Sequence, residues 1–147
     1  MSDLGSGLLD TSVFVARETG RQLEELPSKV AVSVVTIGEL QLGVLVASDP
    51  SARARRADTL ALARAADPIP ISEAIMVAWA RLVVDCRDAG IHRTVKLTDA
   101  LIAATAIEHG LTVVTQDDDY WISSQATVSS MSVGTTTLSP SSRHREW

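Results

Sequence analysis

The chain has 147 residues, 46% of them hydrophobic, which is enough for one compact domain with a substantial core and short for two. Thirteen Lys and Arg against 18 Asp and Glu give a formal net charge of −5, which argues against gripping nucleic acid or anionic lipid through bulk positive charge. A single cysteine, Cys86, excludes a disulfide framework and a Cys-rich zinc site, and an aromatic content of 3% disfavours base-stacking platforms.

Residues 1–7 are polar and read as a frayed N-terminus without the basic and apolar regions of a signal peptide. No apolar run is long enough to span a bilayer, so a cytoplasmic protein with no membrane partner is expected. Leu8 and Leu9 form a short buried strand that ends in the polar turn Asp10-Thr11-Ser12, with a brief helix over 13–18 stopping near Thr19 and Gly20. Residues 21–29 read as a short helix or loop interrupted at Pro27. The valine-rich stretch 30–35 carries no acid or base, the pattern of a strand covered on both faces. A helix over 37–47 follows, with Ile37, Leu40, Val44 and Ala47 on one face. Leu42, Val44, Leu45 and Val46 give it more apolar surface than one core-facing stripe requires, which implies a partner.

Residues 51–66 read as an alanine- and arginine-rich helix with Arg53, Arg56 and Arg64 on a basic side. Over 67–71 only a short strand fits, because Pro68 and Pro70 lack amide donors. Ser72 is placed to cap a helix that reaches 89 and stops at Gly90, with Ile75, Trp79, Leu82 and Val83 as its apolar stripe. Thr98 and Asp99 open a helix over 100–109, apolar nearly all round and therefore central, which ends at Gly110. A strand over 111–115, the acidic run Asp117-Asp118-Asp119 and a weak strand over 128–133 complete the pattern. Strands alternate with helices through short connections, so the expected fold is α/β: a three-layer α/β/α domain over 8–133 around a mainly parallel sheet. Residues 134–147 read as a disordered Ser/Thr-rich tail.

In such a sheet, ligands bind beyond the carboxyl ends of the strands. Asp10 ends the first strand, Glu39 lies a helical turn past the second, Asp117 follows the strand at 111–115, and Asp99 starts the helix before it. Each has a plain structural reading: an Asx-turn for Asp10, a capping box Thr36-x-x-Glu39, a helix-dipole role for Asp99 and a solvated loop for the acidic run. Gathering them at one edge is costly, since two carboxylates about 4 Å apart repel by about 4 kcal/mol at an effective dielectric near 20. Such a site keeps protons or holds a divalent cation. With oxygen ligands only, that cation is hard, Mg²⁺ or Mn²⁺, and it suits hydrolysis of a phosphodiester. The alternative of an Asp-x-Asp phosphatase loop fails because position 12 is Ser.

Four blocks resemble the acidic motifs of PIN-domain proteins, and most closely the VapC toxins of bacterial toxin–antitoxin pairs. They are Leu8-Leu9-Asp10-Thr11-Ser12-Val13, Val34-Val35-Thr36-Ile37-Gly38-Glu39-Leu40, Thr98-Asp99-Ala100-Leu101-Ile102-Ala103-Ala104-Thr105-Ala106 and Val113-Val114-Thr115-Gln116-Asp117-Asp118-Asp119-Tyr120. The resemblance covers most of the chain and keeps the family order. It implies a PIN fold and a Mg²⁺- or Mn²⁺-dependent endoribonuclease cutting a structured RNA such as transfer or ribosomal RNA. It further implies a homodimer, and a larger complex with a VapB-type antitoxin that neutralises the toxin. Asp10, Glu39, Asp99 and Asp117 map onto the family's acidic positions, with Asp10, Asp99 and Asp117 as metal ligands and Glu39 and Asp119 as further candidates. Gln116 stands where many relatives carry Arg, and Tyr120 where Phe is common. The alternative within this fold is a catalytically weak scaffold that acts mainly as a protein-binding module.

The segment 51–64 holds four arginines against Asp58, either as a solvated helix face or as a rim for RNA phosphates that includes Arg53, Arg56 and Arg64. Arg87, Arg93 and Lys96 could extend that rim.

Overall fold

The computed structural model describes residues 5–23, 25–91 and 95–116. Three strands, β1 (Ser6–Leu9), β2 (Lys29–Val32) and β3 (Thr112–Val114), form a parallel sheet in the order β2-β1-β3. Five helices surround it: α1 (Thr11–Glu18), α2 (Val34–Val46), α3 (Pro50–Arg64), α4 (Glu73–Asp88) and α5 (Leu97–His109).

Period-two alternation along the strands distributes the apolar side chains to two faces. Leu9, Val32 and Val114 face one way, onto Val13 and Phe14 of α1, Leu40 of α2, and Leu60 and Ala63 of α3. Leu8, Ala31 and Val113 face the other way, onto Ile102 and Ala106 of α5. α4 packs outside α5, where Leu82 and Cys86 meet Ala103. The expected three layers are therefore present. α5 is central as its composition implies, burying the run Ile102 to Ala106 along with Ala100.

Several details differ from the sequence reading. The turn Asp10-Thr11-Ser12 is instead the start of α1, which begins at Thr11 directly after Asp10 as its N-cap. The strand expected over 30–35 stops at Val32, because Ser33 caps α2 by accepting a hydrogen bond from Val35 N–H at 3.1 Å. β2 is an edge strand of the described sheet; its first residues, Lys29 and Val30, are exposed, while Ala31 and Val32 pack on opposite faces as expected. The described part of 21–28 is a loop, one of the two forms expected there. On α4 the buried stripe is Ile75, Ala78, Leu82 and Cys86; Trp79 is half-buried and Val83 points outward.

The segment 67–71 reduces to one parallel bridge between Ser33 and Ile69, whose amide donates to Val32 O while its carbonyl accepts from Val34 N–H. Ile69 supplies that donor between two prolines that cannot. α4 begins as expected, with Ser72 Oγ accepting from Ile75 N–H at 3.2 Å. Ser72→Ala should lower stability by about 1 kcal/mol in denaturant unfolding, with the midpoint shifted and the slope unchanged. Burial, and then the neighbouring Asp85 charge, push the Cys86 thiol up, which fits a packing role for this cysteine. Among the described residues no helix is long and apolar enough to cross a membrane. The weak strand expected over 128–133 and the tail over 134–147 lie outside the described residues.

Candidate active site

All three strands point their carboxyl ends to one edge of the sheet, where the next residues are Asp10, Ser33 and Thr115. The Asp10 amide continues the ladder by donating to Val114 O at 2.9 Å, which fixes the backbone of Asp10 beside β3. Asp10 has N-cap geometry, yet its carboxylate makes no cap bond to α1. Its Oδ2 accepts instead from Ser12 Oγ at 3.0 Å and from Thr115 Oγ1 at 3.1 Å. Ser12 Oγ in turn accepts from the Gln116 amide at 2.9 Å, so the end of β3 and the first turn of α1 are tied together around one carboxylate. Asp10 is only 9% exposed, at the N-terminal end of α1.

Glu39 is not part of a capping box. α2 starts at Val34, so Thr36 lies inside the helix and is fully buried, and Glu39 projects one turn further on. Thr11 Oγ1 donates to Glu39 Oε1 at 2.7 Å and lies 3.1 Å from Thr36 Oγ1, linking α1 to α2 beside Asp10. Asp99 sits in the first turn of α5, half-buried, behind Lys96 at the N-cap position.

Asp10, Glu39 and Asp99, distant in sequence, line one open cleft of about 250 Å³. One wall is a stripe of α1 and its C-cap: Ser12, Val15, Ala16 and the capping Thr19, spaced for a single helical face. Arg21, Lys96 and Gln116 complete the lining. The donors are carboxylates and hydroxyls, with no imidazole or thiol among the lining residues, which suits a hard divalent cation. Among the described residues, no three acidic, His or Cys side chains converge tightly enough to hold an ion by themselves. Asp117 and Asp119 lie outside the described residues; the chain is described up to Gln116, which lines the cleft.

Arg53, Arg56 and Arg64 do not line this cleft. Arg53 and Arg56 donate to the carbonyls of Ala47 and Gly43, both at 2.7 Å, and Arg64 reaches Gln41 Oε1 at 3.4 Å. Two of the three thus satisfy carbonyls left open at the C-terminal end of α2 and staple α3 to it. The cations at the cleft are Arg21 and Lys96 instead. Lys96 was within the wider basic rim of the sequence, whereas Arg21 belongs to no motif; only the helix stop at Gly20 points to a defined position for it.

Comparison with known proteins agrees with this geometry. Residues 7–124 match the PIN domain family. The chain is 68% identical over 104 residues to Ribonuclease VapC8 of Mycobacterium tuberculosis, covering 71% of this chain and 93% of that protein. It is 44% identical over 117 residues to Ribonuclease VapC5 of the same organism, covering 78% and 85%. In structure it resembles VapBC-5 of M. tuberculosis, described as a member of the VapBC family of toxin-antitoxin systems, with a TM-score of 0.71 at 41% identity over 79% of this chain and 88% of that one. The four acidic blocks, the parallel sheet that gathers three of them and these matches together show that the chain belongs to the PIN-domain family, in its VapC branch.

Proposed function

We propose that this protein is the toxin of a toxin–antitoxin pair: a divalent-metal-dependent endoribonuclease that hydrolyses phosphodiester bonds in a structured RNA and is neutralised by a VapB-type antitoxin. The observation that carries this reading is the meeting of Asp10, Glu39 and Asp99 in one cleft of a chain so close to a named ribonuclease. Asp10, Asp99 and Asp117 are assigned to Mg²⁺ or Mn²⁺, with Glu39 and Asp119 beside them. When bound, such a cation offsets phosphate charge and lowers the pKa of a water.

The remaining work belongs to the chain's own groups. Ser12 and Thr115 occupy Asp10 Oδ2, so we assign Oδ1 to the cation. Thr11 holds Glu39 Oε1 and fixes the carboxylate's direction into the cleft, where Glu39 is placed to accept a proton from the attacking water. These bonds set the acids before substrate arrives, which limits the rearrangement needed at the moment of reaction.

The partner reading draws on α2, whose Leu42, Leu45 and Val46 are each at least 60% exposed. Val44, by contrast, packs against the core and is not part of this surface. We assign the exposed residues to a homodimer and to the larger toxin–antitoxin complex. An antitoxin Arg entering the carboxylate cluster would be an effective inhibitor. The test is to incubate the purified protein with transfer and ribosomal RNA. Discrete cuts with Mg²⁺ or Mn²⁺ and none with EDTA support the reading, as does growth arrest on expression that a VapB-type antitoxin relieves. Intact RNA under every metal condition together with normal growth overturns it, and would favour a protein-binding scaffold.

A further inference from the structure

We infer that Arg21 and Lys96 are phosphate-gripping subsites, so that the cleft holds a length of RNA backbone and not the scissile phosphodiester alone. This rests on the ribonuclease reading above, but adds which residues grip the strand and where it runs.

Both residues line the same cleft as the three carboxylates, both are exposed, and neither side chain pairs with another described residue. A long cation beside several carboxylates normally folds onto one of them. Here neither side chain is paired with a described acid, which leaves its charge for an incoming anion.

The backbone explains the placement of Arg21. α1 ends in a Schellman motif: Gly20 adopts φ +74°, its amide donates to Arg17 O at 3.2 Å, and the Arg21 amide donates to Ala16 O at 2.9 Å. Arg21 is therefore fixed at the far end of the α1 wall. Ser12 and Thr19 are separated by seven residues of helical rise, about 10 Å, so Arg21 follows the end of the wall opposite Ser12. Lys96 sits at the other side, immediately before the first turn of α5 that carries Asp99. A strand whose scissile phosphate lies at the acids, and which runs along Val15 and Thr19, reaches Arg21 with a phosphate further along. Lys96 meets the backbone next to the cut. Val15 and Ala16 carry no hydrogen-bonding side-chain atoms and the Thr19 hydroxyl already donates to the Val15 and Ala16 carbonyls, so the grip falls on the backbone and not on base edges.

The test uses Asp10→Asn as a background that binds RNA without cutting it. Binding of a fluorescein-labelled single-stranded oligoribonucleotide is measured by anisotropy at several salt concentrations in Mg²⁺. Adding Arg21→Gln or Lys96→Gln should weaken binding about fivefold and lower the slope of log affinity against log salt by about 0.7 each, while Arg21→Lys and Lys96→Arg keep the slope. Arg81→Gln, outside the cleft, leaves both quantities unchanged. Equal slopes in all variants, or no binding by the background even at low salt, overturn the inference. Cleavage by the wild-type chain is scored separately, so failure of the ribonuclease reading and failure of the two subsites give different results.

Discussion

Asp10→Asn is expected to slow RNA cleavage by at least about 100-fold while leaving thermal unfolding within a few degrees of the parent. Removal of a group that merely orients a metal ligand already reduces metal affinity or activity about 10- to 100-fold, so loss of the carboxylate we assign to the cation sets at least the upper end of that range. Stability should change little, because the asparagine oxygen still accepts from Ser12 and Thr115 in the places Oδ2 now occupies. Cleavage assays with matched melting curves separate the two effects, and a variant that is inactive because it is unfolded would fail the second.

Gly7→Ala is expected to have the largest effect on the fold, about 3 kcal/mol of destabilisation and a melting temperature lower by about 10 °C. A Cβ at position 7 would stand 2.6 Å from Pro27 Cγ and 2.8 Å from Val114 Cγ2. Neither neighbour can swing away, since one is a buried proline ring and the other a β-branched side chain in β3. Relief would come from moving β1 against β3, the same pairing that seats Asp10 through its amide bond to Val114 O. Denaturant unfolding measures the loss. Activity per folded molecule should fall as well, since the shift reaches the carboxylate edge.

The layers and the site were legible in the sequence to different depths. Alternating apolar strands, an all-round apolar α5 and the glycines after α4 and α5 gave the architecture, because burial and helix termination act through local residue types. Boundaries at β2 were not legible. Val34 and Val35 favour a strand by type, but the Ser33 cap starts the helix there, and tertiary packing of α2 on α3 prevails over propensity. Acidic positions stood out because carboxylates at strand ends are chemically conspicuous. The hydroxyls that orient them, Thr11, Ser12 and Thr115, did not, since Thr and Ser at turns have many local uses. The arginines show the same limit from the other direction. Arg53 and Arg56 formed a visible basic run and turn out to staple α3 to α2, whereas Arg21, isolated in sequence, is brought to the cleft by the end of α1.

The acidic balance of the whole chain also takes a different meaning. Five of the 18 acids, Asp10, Glu39, Asp99, Asp117 and Asp119, are assigned to one centre, and the charges on the rest of the chain then balance. A metal centre on a nearly neutral body is compatible with RNA held locally by the cation and a few basic side chains. The most direct test of that centre is to titrate Mn²⁺ into the full chain and follow the free ion by electron paramagnetic resonance. Saturable binding is expected, weakened at least about tenfold in both Asp10→Asn and Asp99→Asn. Binding of equal strength in the wild type and both variants, or no binding in any of them, would contradict it.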